Sequence, residues 1–223
     1  MFPKKLLNEV EEAGIIAVLV IDDADDAVPT ARALVEGGVT AMELTLRTPA
    51  AVEALKRIKQ EVPEMLAGVG TVITPEQVDE IVEAGADFGV APGLNPRILD
   101  KAREAGLPFA PGVMTPSEIE LAVEKGCRLL KFFPSHPMGG IDFLRSMNSP
   151  YSYLALTYIP LGGVNSANLG SYLQVPIISA VGGSWIAKRD LIENHKWDVI
   201  TANARDAVRI KQKARGGSSW KAV

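Results

Sequence analysis

The feature that most constrains this chain is a regular alternation between short apolar runs and longer amphipathic segments. Eight runs rich in Val, Ile, Leu and Phe begin at Ile15, Thr40, Met65, Asp87, Leu107, Arg128, Ala155 and Ile177. Their hydrophobicity is continuous, which is typical of strands buried on both faces of a parallel sheet. The segments between them have the apolar spacing expected of helices. The alternation therefore predicts an α/β protein built from strand–helix units.

The ends of the helical segments carry residues that start and stop helices. Residues 74–77, Thr-Pro-Glu-Gln, place a threonine at the cap, a proline at the first helical position and a glutamine three residues after the cap. Residues 115–118, Thr-Pro-Ser-Glu, repeat this pattern with glutamate. Glycines stand where a C-terminal cap belongs at Gly38, Gly85, Gly106 and Gly126.

The spacing of the units selects a fold. A strand–helix unit recurs roughly every 20–25 residues, close to the ~30 residues of a βαβ unit without its shared strand. Eight units in 223 residues predict a (β/α)₈ TIM barrel formed by a single domain over residues 1–223. The segment before Ile15 predicts an extra N-terminal helix that closes the bottom of the barrel. A doubly wound open sheet is the alternative, but GVGTV from Gly68 lacks the third glycine of its GxGxxG turn.

Charge and composition argue against several classes of function. A net charge of −4 and a pI of about 5.3 argue against a nucleic-acid surface, which needs clustered Lys and Arg. One cysteine and two histidines exclude an internal disulfide, a Cys-rich zinc site and a three-histidine metal site. The N-terminus has no signal-peptide core, and no apolar run approaches the ~20 residues that span a bilayer. We therefore expect a cytoplasmic protein without metal, cofactor, nucleic-acid partner or membrane contact.

The C-terminal segment of the chain differs in composition from the rest. From about Lys211 the sequence is charged and then rich in Gly and Ser, which predicts a loosely held end.

One lysine breaks the separation between charged segments and apolar runs. Lys131 lies between Leu130 and Phe132 in the run RLLKFF, whereas nearly every other lysine lies in a charged segment. Lysine is almost never fully buried unless it is paired. Removal from water favours the neutral amine, which is a nucleophile. The alternative is a lysine on an edge strand whose side chain extends to water.

A second apolar run, AMELTLR, contains a carboxylate and ends in a guanidinium. Glu43 lies inside the run, and Arg47 follows it just past the expected strand end. A buried carboxylate needs a partner, and arginine holds carboxylates with two hydrogen bonds. A structural Glu–Arg pair explains these two residues alone. Together with Lys131 they suggest Schiff-base chemistry, in which the lysine attacks a carbonyl and the acid transfers protons.

Glycine pairs follow the last two apolar runs, in PLGGVN from Pro160 and in VGGSW from Val181. In (β/α)₈ enzymes the loops after strands seven and eight commonly bind phosphate through backbone N–H groups. Tight turns are the alternative reason for such pairs. The residues that fit a phosphate site are Gly162, Gly163, Gly182, Gly183 and Ser184.

Seven motifs together resemble one family, the class I 2-keto-3-deoxy-6-phosphogluconate (KDPG) and 4-hydroxy-2-oxoglutarate aldolases. They are ELTLRT, GVGTV, PGLNP, PGVMTPSE, LLKFFP, IPLGG and VGGSW, and the likeness spans about residues 10–210. It implies a (β/α)₈ barrel, usually a homotrimer. It also implies a metal-independent lyase that reversibly cleaves KDPG to pyruvate and glyceraldehyde 3-phosphate, in Entner–Doudoroff carbohydrate metabolism.

Other functions remain open at this point. One alternative is a related 2-keto acid aldolase that acts on 4-hydroxy-2-oxoglutarate or on 2-keto-3-deoxy-6-phosphogalactonate. A phosphate-binding barrel isomerase or epimerase would use the same glycine loops but would not need an isolated lysine in an apolar strand. A catalytically inactive relative would serve as a binding or assembly module, and the presence of Lys131, Glu43 and Arg47 together counts against it.

The resemblance also implies roles for individual residues. The family's Schiff-base lysine falls on Lys131, and its acid–base glutamate falls on Glu43. Arg47 and Thr71 match the groups that hold the pyruvate carboxylate. The matches to the phosphate site are Gly162, Gly163, Gly183 and Ser184, and the matches to the pocket wall are Pro92 and Phe133.

Three residues, at two places in the chain, depart from the family pattern. Leu161 stands where the family often has threonine before the glycine pair, which removes a hydroxyl and leaves the substrate preference open. Ser135 and His136 stand where the family commonly has Ala-Glu. We expect His136 to be a solvent-facing loop residue, with a second proton shuttle as the alternative.

Overall fold

The fold is given by a computed structural model that describes residues 2–216. The strands are β1 Ile15–Leu19, β2 Ala41–Thr45, β3 Leu66–Gly70, β4 Phe88–Val90, β5 Phe109–Ala110, β6 Gly112–Val113, β7 Leu129–Phe132, β8 Thr157–Pro160 and β9 Val181–Gly183. The helices are α1 Lys4–Ala13, α2 Ala27–Glu36, α3 Ala51–Glu61, α4 Pro75–Glu83, α5 Pro96–Glu104, α6 Pro116–Glu124, α7 Gly140–Asn148, α8 Leu169–Leu173, α9 Arg189–Glu193 and α10 Trp197–Arg215.

All strand pairs are parallel, and they close into a barrel. One sheet has the order β5-β4-β3-β2-β1-β9, and a second has the order β6-β7-β8. The sheets meet on one side where β6 follows β5 along the chain. On the other side a parallel bridge joins Tyr158 of β8 to Ile178, just before β9. The predicted α/β barrel is confirmed, and the open-sheet alternative is wrong.

The fifth apolar run forms two short strands instead of one. Pro111 separates β5, which pairs with β4, from β6, which pairs with β7. Proline has no N–H to donate and interrupts a sheet at the interior of a strand. Its carbonyl still accepts a hydrogen bond from the Lys131 N–H at 2.9 Å, so the barrel remains connected at this point.

The predicted helix boundaries are also confirmed. At the start of α4 the Thr74 hydroxyl accepts from Gln77 N, and the Gln77 side chain accepts from Thr74 N, which is a capping box. Thr115 and Glu118 form the same arrangement at the start of α6. The predicted C-terminal glycines all have positive φ, as a left-handed helix cap requires: Gly38, Gly85, Gly106 and Gly126.

The predicted N-terminal helix packs across the amino ends of the strands. Val10 of α1 is fully buried in a cluster that includes Ile16 and Phe88. The Phe2 ring lies 6.0 Å from the Phe88 ring. This packing covers the end of the barrel that is opposite to the carboxyl ends of the strands.

The last helix is fastened to the same end of the barrel. Lys211 Nζ donates to the carbonyls of Glu12 and Ala13 at 3.0 and 3.1 Å. The Arg215 guanidinium donates to Glu11 O at 2.9 Å and to Ser179 O at 2.9 Å. Burial lowers the pKa of Arg215 to about 10, partly opposed by the Glu11 carboxylate.

The expectation of a loosely held end therefore does not apply to α10. The rest of that segment, residues 217–223, lies outside the described residues. Across residues 2–216 no helix has both the length and the apolar character needed to cross a membrane.

Candidate active site

Lys131 and Glu43 meet inside the barrel. Glu43 lies on β2 and Lys131 on β7, and Lys131 Nζ donates to Glu43 Oε1 at 2.8 Å. The two side chains are 6% and 3% exposed. β7 has neighbours on both sides, so the edge-strand alternative for Lys131 is wrong. Glu43 is thus paired with Lys131 and not with Arg47, so the alternative of a structural Glu43–Arg47 pair is wrong.

A glycine makes room for this contact. A Cβ atom on Gly70 would lie 1.8 Å from Glu43 Oε1, far inside van der Waals distance. Gly70 is the last residue of β3, the neighbour of β2. The glutamate can therefore reach across to Lys131 because no side chain projects from Gly70.

The buried pair does little for stability. Removing two charges from water costs about as much as their attraction returns, so an apolar pair would serve the fold equally well. The Lys131 amine also lies 5.7 Å from the centre of the Phe133 ring, which covers one side of it. A nucleophile and a proton acceptor in contact within a sheltered space can form and break a covalent bond to a carbonyl compound.

A cavity of about 220 Å³ opens at the carboxyl ends of the strands, directly above this pair. This is where (β/α)₈ enzymes carry their active sites. All eleven residues that the sequence proposed for the site line it: Lys131, Glu43, Arg47, Thr71, Pro92, Phe133, Gly162, Gly163, Gly182, Gly183 and Ser184. The structure thus brings every one of them together, and their individual roles stay predictions.

Thr45 also lines the cavity and was missed in the sequence. Its hydroxyl donates to Leu19 O at 2.9 Å and accepts from Arg47 Nε at 3.2 Å. Thr45 is two residues after Glu43, and alternate residues of a strand share a face. A polar residue on the face of Glu43 is the signal that would have identified it.

Arg47 is an exposed cation held by one hydrogen bond. Its Nε donates to Thr45, and within residues 2–216 its other guanidinium donors have no partner in the protein. These donors lie at the cavity wall. A guanidinium in this position is suited to a carboxylate, which it can hold through two parallel hydrogen bonds.

Thr71 has a strained backbone. Its φ of 62° lies in the left-handed region, which β-branched residues rarely adopt. Thr71 follows β3 directly and lines the cavity. Backbone strain of this kind costs on the order of 1–3 kcal/mol and is found mainly where function requires one orientation. The sequence motif G-x-G-T gave no sign of this geometry.

The two glycine turns, at the carboxyl ends of β8 and β9, form part of the cavity wall. Gly162 and Gly163 have φ of 89° and 78°, so the turn after β8 requires glycine at both positions. A Cβ atom on Gly183 would lie 1.7 Å from the Trp185 ring. Backbone N–H groups in such turns bind anions without any side chain. This is the geometry expected of a phosphate site.

Part of the cavity wall is apolar. Leu161, Val18 and Val164 line it, and Gly182 contributes backbone. A Cβ atom on Gly182 would lie 2.5 Å from Leu161 Cγ, so the leucine fills the space beside that glycine. The departure from threonine at position 161 therefore lies within the cavity itself.

His136 does not face this cavity. It is exposed and lines a separate cleft with Arg145 and Tyr172. Its placement agrees with a solvent-facing residue, and the proton-shuttle alternative has no geometric support. Its neighbour Ser135 is fully buried, and the Ser135 hydroxyl lies 2.9 Å from the Tyr172 hydroxyl.

Three other clefts are larger than the candidate site, at about 440, 530 and 480 Å³. They are open clefts lined by helices and loops on the outside of the barrel. Size alone would favour them, but the chemistry favours the cavity with the buried amine and acid. Among residues 2–216 no group of three or more His, Cys, Asp or Glu side chains is placed to hold a metal ion.

Comparison with known proteins points to one group of enzymes. The sequence profile described as "Aldolase: KDPG and KHG aldolase" matches residues 6–203. A 2-dehydro-3-deoxy-phosphogluconate aldolase of Dickeya dadantii is 43% identical over 206 residues, which cover 92% of this chain and 96% of that relative. A KHG/KDPG aldolase of Escherichia coli is 41% identical over 194 residues, which cover 87% of this chain and 90% of that relative.

A solved structure agrees with these relatives. The crystal structure of KDPG aldolase from Legionella pneumophila has a TM-score of 0.85 and 38% identity, and the match covers 90% of this chain and 97% of that one. That protein holds pyruvate as a covalent carbinolamine intermediate, captured at low pH.

Proposed function

The chain belongs to the KDPG and KHG aldolase family, and on this basis we propose that it is a class I aldolase. As such it is a lyase that reversibly cleaves KDPG to pyruvate and glyceraldehyde 3-phosphate. The observation that carries the proposal is the 2.8 Å contact between Lys131 Nζ and Glu43 Oε1 at the base of the cavity. It combines a nucleophile with the acceptor for its proton.

The first step joins the substrate to Lys131. The amine gives its proton to Glu43, and Nζ then bonds to C2, the keto carbon. The former carbonyl oxygen takes up a proton, and the carbinolamine that results loses this oxygen as water. The product is a Schiff base whose nitrogen carries a positive charge and attracts electrons from the carbon chain.

The second step breaks the carbon chain. Glu43 removes the proton of the C4 hydroxyl, the C3–C4 bond breaks, and its electrons move toward the charged nitrogen. Glyceraldehyde 3-phosphate leaves, and the remaining enamine takes a proton at C3. Water then releases pyruvate and restores Lys131, so no group is consumed. Glu43 is placed for each of these proton transfers because it lies at the nitrogen that becomes charged.

The cavity supports a substrate with an anion at each end. Arg47 and Thr71 lie on one side and are suited to the carboxylate of the pyruvate half. Gly162, Gly183 and Ser184 lie on the other side and offer N–H and hydroxyl donors to a phosphate. Holding both ends places C2 against the amine, and this orientation is itself a large part of catalysis.

Trapping with borohydride tests the proposal directly. Pyruvate and borohydride together should add one reduced pyruvate to the protein, and peptide mapping should find it on Lys131. Lys131→Met should take up none, whereas the exposed Lys188→Met should behave like the wild type. Absence of an adduct on the wild-type protein would overturn the aldolase proposal.

The same observations bear on the alternatives. An isomerase or epimerase that uses the phosphate site has no need of a buried amine in contact with an acid. An inactive relative has no need of an open cavity above that pair. Among aldolase substrates, the glycine turns favour a phosphorylated acid over 4-hydroxy-2-oxoglutarate. Steady-state kcat/KM values for phosphorylated and unphosphorylated 2-keto-3-deoxy acids decide between them.

We also propose that the aldolase domain spans the whole chain and assembles as a homotrimer in the cytoplasm. The family profile covers residues 6–203, and the family resemblance supports a trimer. Met138 and Phe143, near the start of α7, are 48% and 38% exposed and suited to an apolar interface. Light scattering should give about three times the chain mass of 23.8 kDa, and a monomer would contradict the assembly.

A further inference from the structure

The turn after β8 is held from its outer side through three consecutive carbonyl groups. Leu161 O accepts from Ser135 N at 2.7 Å, and Gly162 O accepts from His136 N at 2.9 Å. The third carbonyl, Gly163 O, accepts from the side chain of Asn168, whose Nδ2 lies 3.1 Å away. Each carbonyl in the turn is therefore fixed by a donor that lies outside the cavity.

The orientation of these carbonyls also determines the direction of the next three N–H groups. In a trans peptide the C=O and the N–H of the following residue point in opposite directions. With the carbonyls turned outward, the N–H groups of Gly162, Gly163 and Val164 turn toward the cavity, which all three residues line. Within residues 2–216 these three N–H groups have no acceptor. They are the donors that an anion in the cavity would meet.

The three peptides differ in how they are held. Two rest on backbone N–H groups of the loop after β7, which remain when Ser135 or His136 is replaced by any residue other than proline. The third, between Gly163 and Val164, rests on a side chain alone. Its orientation therefore depends on the identity of residue 168.

We propose that Asn168 is a positioning residue for the phosphate end of the substrate. It does not line the cavity and acts through Gly163, by holding the Val164 N–H in place. The inference rests on the proposed function, because it takes the anion at this turn to be the phosphate of an aldolase substrate. It adds a residue that no motif of the sequence indicated.

The chemistry of the side chain explains why an amide is needed. Asn168 Oδ1 accepts from Asn165 N at 2.8 Å while Nδ2 donates to Gly163 O. A carboxamide supplies an acceptor and a donor on two separate atoms, and in Asn168 both atoms are used. Aspartate keeps the acceptor and loses the donor, so it releases the Gly163 carbonyl and leaves the contact to residue 165 intact.

A matched control lies three residues away. The Asn165 side chain accepts from Ala167 N at 2.9 Å, and it has no hydrogen bond to the glycine turn. Asn165→Asp and Asn168→Asp add the same charge to the same loop without a change of shape. Only the second variant loses a donor to Gly163. Asn168→Ala removes that donor without adding charge.

The test compares a phosphorylated with an unphosphorylated 2-keto-3-deoxy acid. We expect Asn168→Ala and Asn168→Asp to raise KM for the phosphorylated acid by about five- to tenfold, the effect of one lost hydrogen bond. The kcat for that acid, the kcat/KM for the unphosphorylated acid and the trapping of pyruvate on Lys131 should stay within twofold. Asn165→Asp should match the wild type in every measurement.

Each other outcome has a definite meaning. Equal losses on both acids would show a purely structural role and overturn the inference, as would equal effects of Asn165→Asp and Asn168→Asp. A wild-type protein that traps pyruvate but does not prefer the phosphorylated acid would also overturn it, while the aldolase proposal would stand. Failure of the wild-type protein to trap pyruvate would refute the proposed function instead.

Discussion

Both ends of the barrel shelter a cation, but the partners of the two cations differ in kind. At the amino ends of the strands Arg215 donates to backbone carbonyls, including those of Glu11 and Ser179. At the carboxyl ends Lys131 donates to a carboxylate, Glu43. A backbone carbonyl cannot accept the proton outright, whereas a carboxylate can. The first arrangement joins segments of the chain, and the second can exchange a proton and release the amine for reaction.

The surroundings of the two cations reinforce this difference. Arg215 joins elements that are far apart in the chain. Lys131 lies under an open cavity, and the walls of this cavity include two glycine turns and Thr71, which has a strained backbone. Several features at the carboxyl end cost stability, whereas those at the amino end supply it. We therefore expect substitutions at one end to change activity and at the other to change stability.

The largest effect is expected from Lys131→Met. The substitution removes the nucleophile, so turnover should be abolished while the protein stays folded. Glu43 is then buried without a partner, which should cost about 3–5 kcal/mol in the free energy of unfolding. Adding Glu43→Gln should restore most of that free energy but no turnover. Denaturant titration and a cleavage assay check both statements, and cleavage near the wild-type rate would contradict the role of Lys131.

Glu43→Gln should have the next largest effect on activity. Positioned acid–base groups typically contribute ~10²–10⁴-fold, so cleavage should slow by that factor while a Schiff base with pyruvate still forms. Exchange of the pyruvate methyl protons with deuterium, followed by NMR, should slow in parallel. Unchanged exchange together with slow cleavage would assign the proton transfer to a water molecule or to another residue.

Ser184→Leu should change selectivity more than chemistry. The leucine replaces a donor at the expected phosphate site and should cost the ~1.5–3 kcal/mol of a hydrogen bond to a charged group. Because ~1.4 kcal/mol is tenfold in rate, the ratio of kcat/KM between phosphorylated and unphosphorylated acids should fall at least tenfold. The unphosphorylated acid should react as before or faster. An equal loss for both acids would mean that Ser184 supports the top of the barrel and that the phosphate binds elsewhere.

Arg215→Met tests the stabilising role that we assign to the amino end of the barrel. Loss of the guanidinium leaves buried carbonyls without donors, which should lower the free energy of unfolding by about 1–3 kcal/mol. The kcat/KM should stay at the wild-type value. Arg209→Met is the control, because Arg209 is 78% exposed on the same helix and Asp206 is its only side-chain partner within residues 2–216. A loss of activity in Arg215→Met with normal stability would break the division between the two ends.

Most of the fold could be predicted because its signals are local. Continuous apolar runs identify the parallel strands, and the capping sequences at Thr74 and Thr115 specify where helices begin. The division of the fifth strand was missed, because the two residues of β6 are too few to show a pattern. The anchoring of Lys211 and Arg215 was missed as well, since composition does not reveal which carbonyls elsewhere need a donor.

The members of the candidate site were predictable, but their geometry was not. Polar residues within apolar runs, such as Lys131 and Glu43, stand out in the sequence. Their 2.8 Å separation depends on the tilt and register of the barrel strands, which no local pattern encodes. Asn168 was missed for a related reason. It acts through the carbonyl of another residue and carries none of the chemistry itself.

The pairing of the first and last strands bears on how this protein folds during synthesis. β1 is hydrogen-bonded to β9, and Arg215 binds the carbonyl of Glu11, 204 residues earlier in the chain. Contacts of such long sequence separation form late, because the intervening chain must first be ordered. A nascent chain on the ribosome cannot close the barrel until β9 has emerged. Until then the edges of β1 and β8 are open to pairing with other chains, so the late step of barrel closure leaves the chain exposed to aggregation.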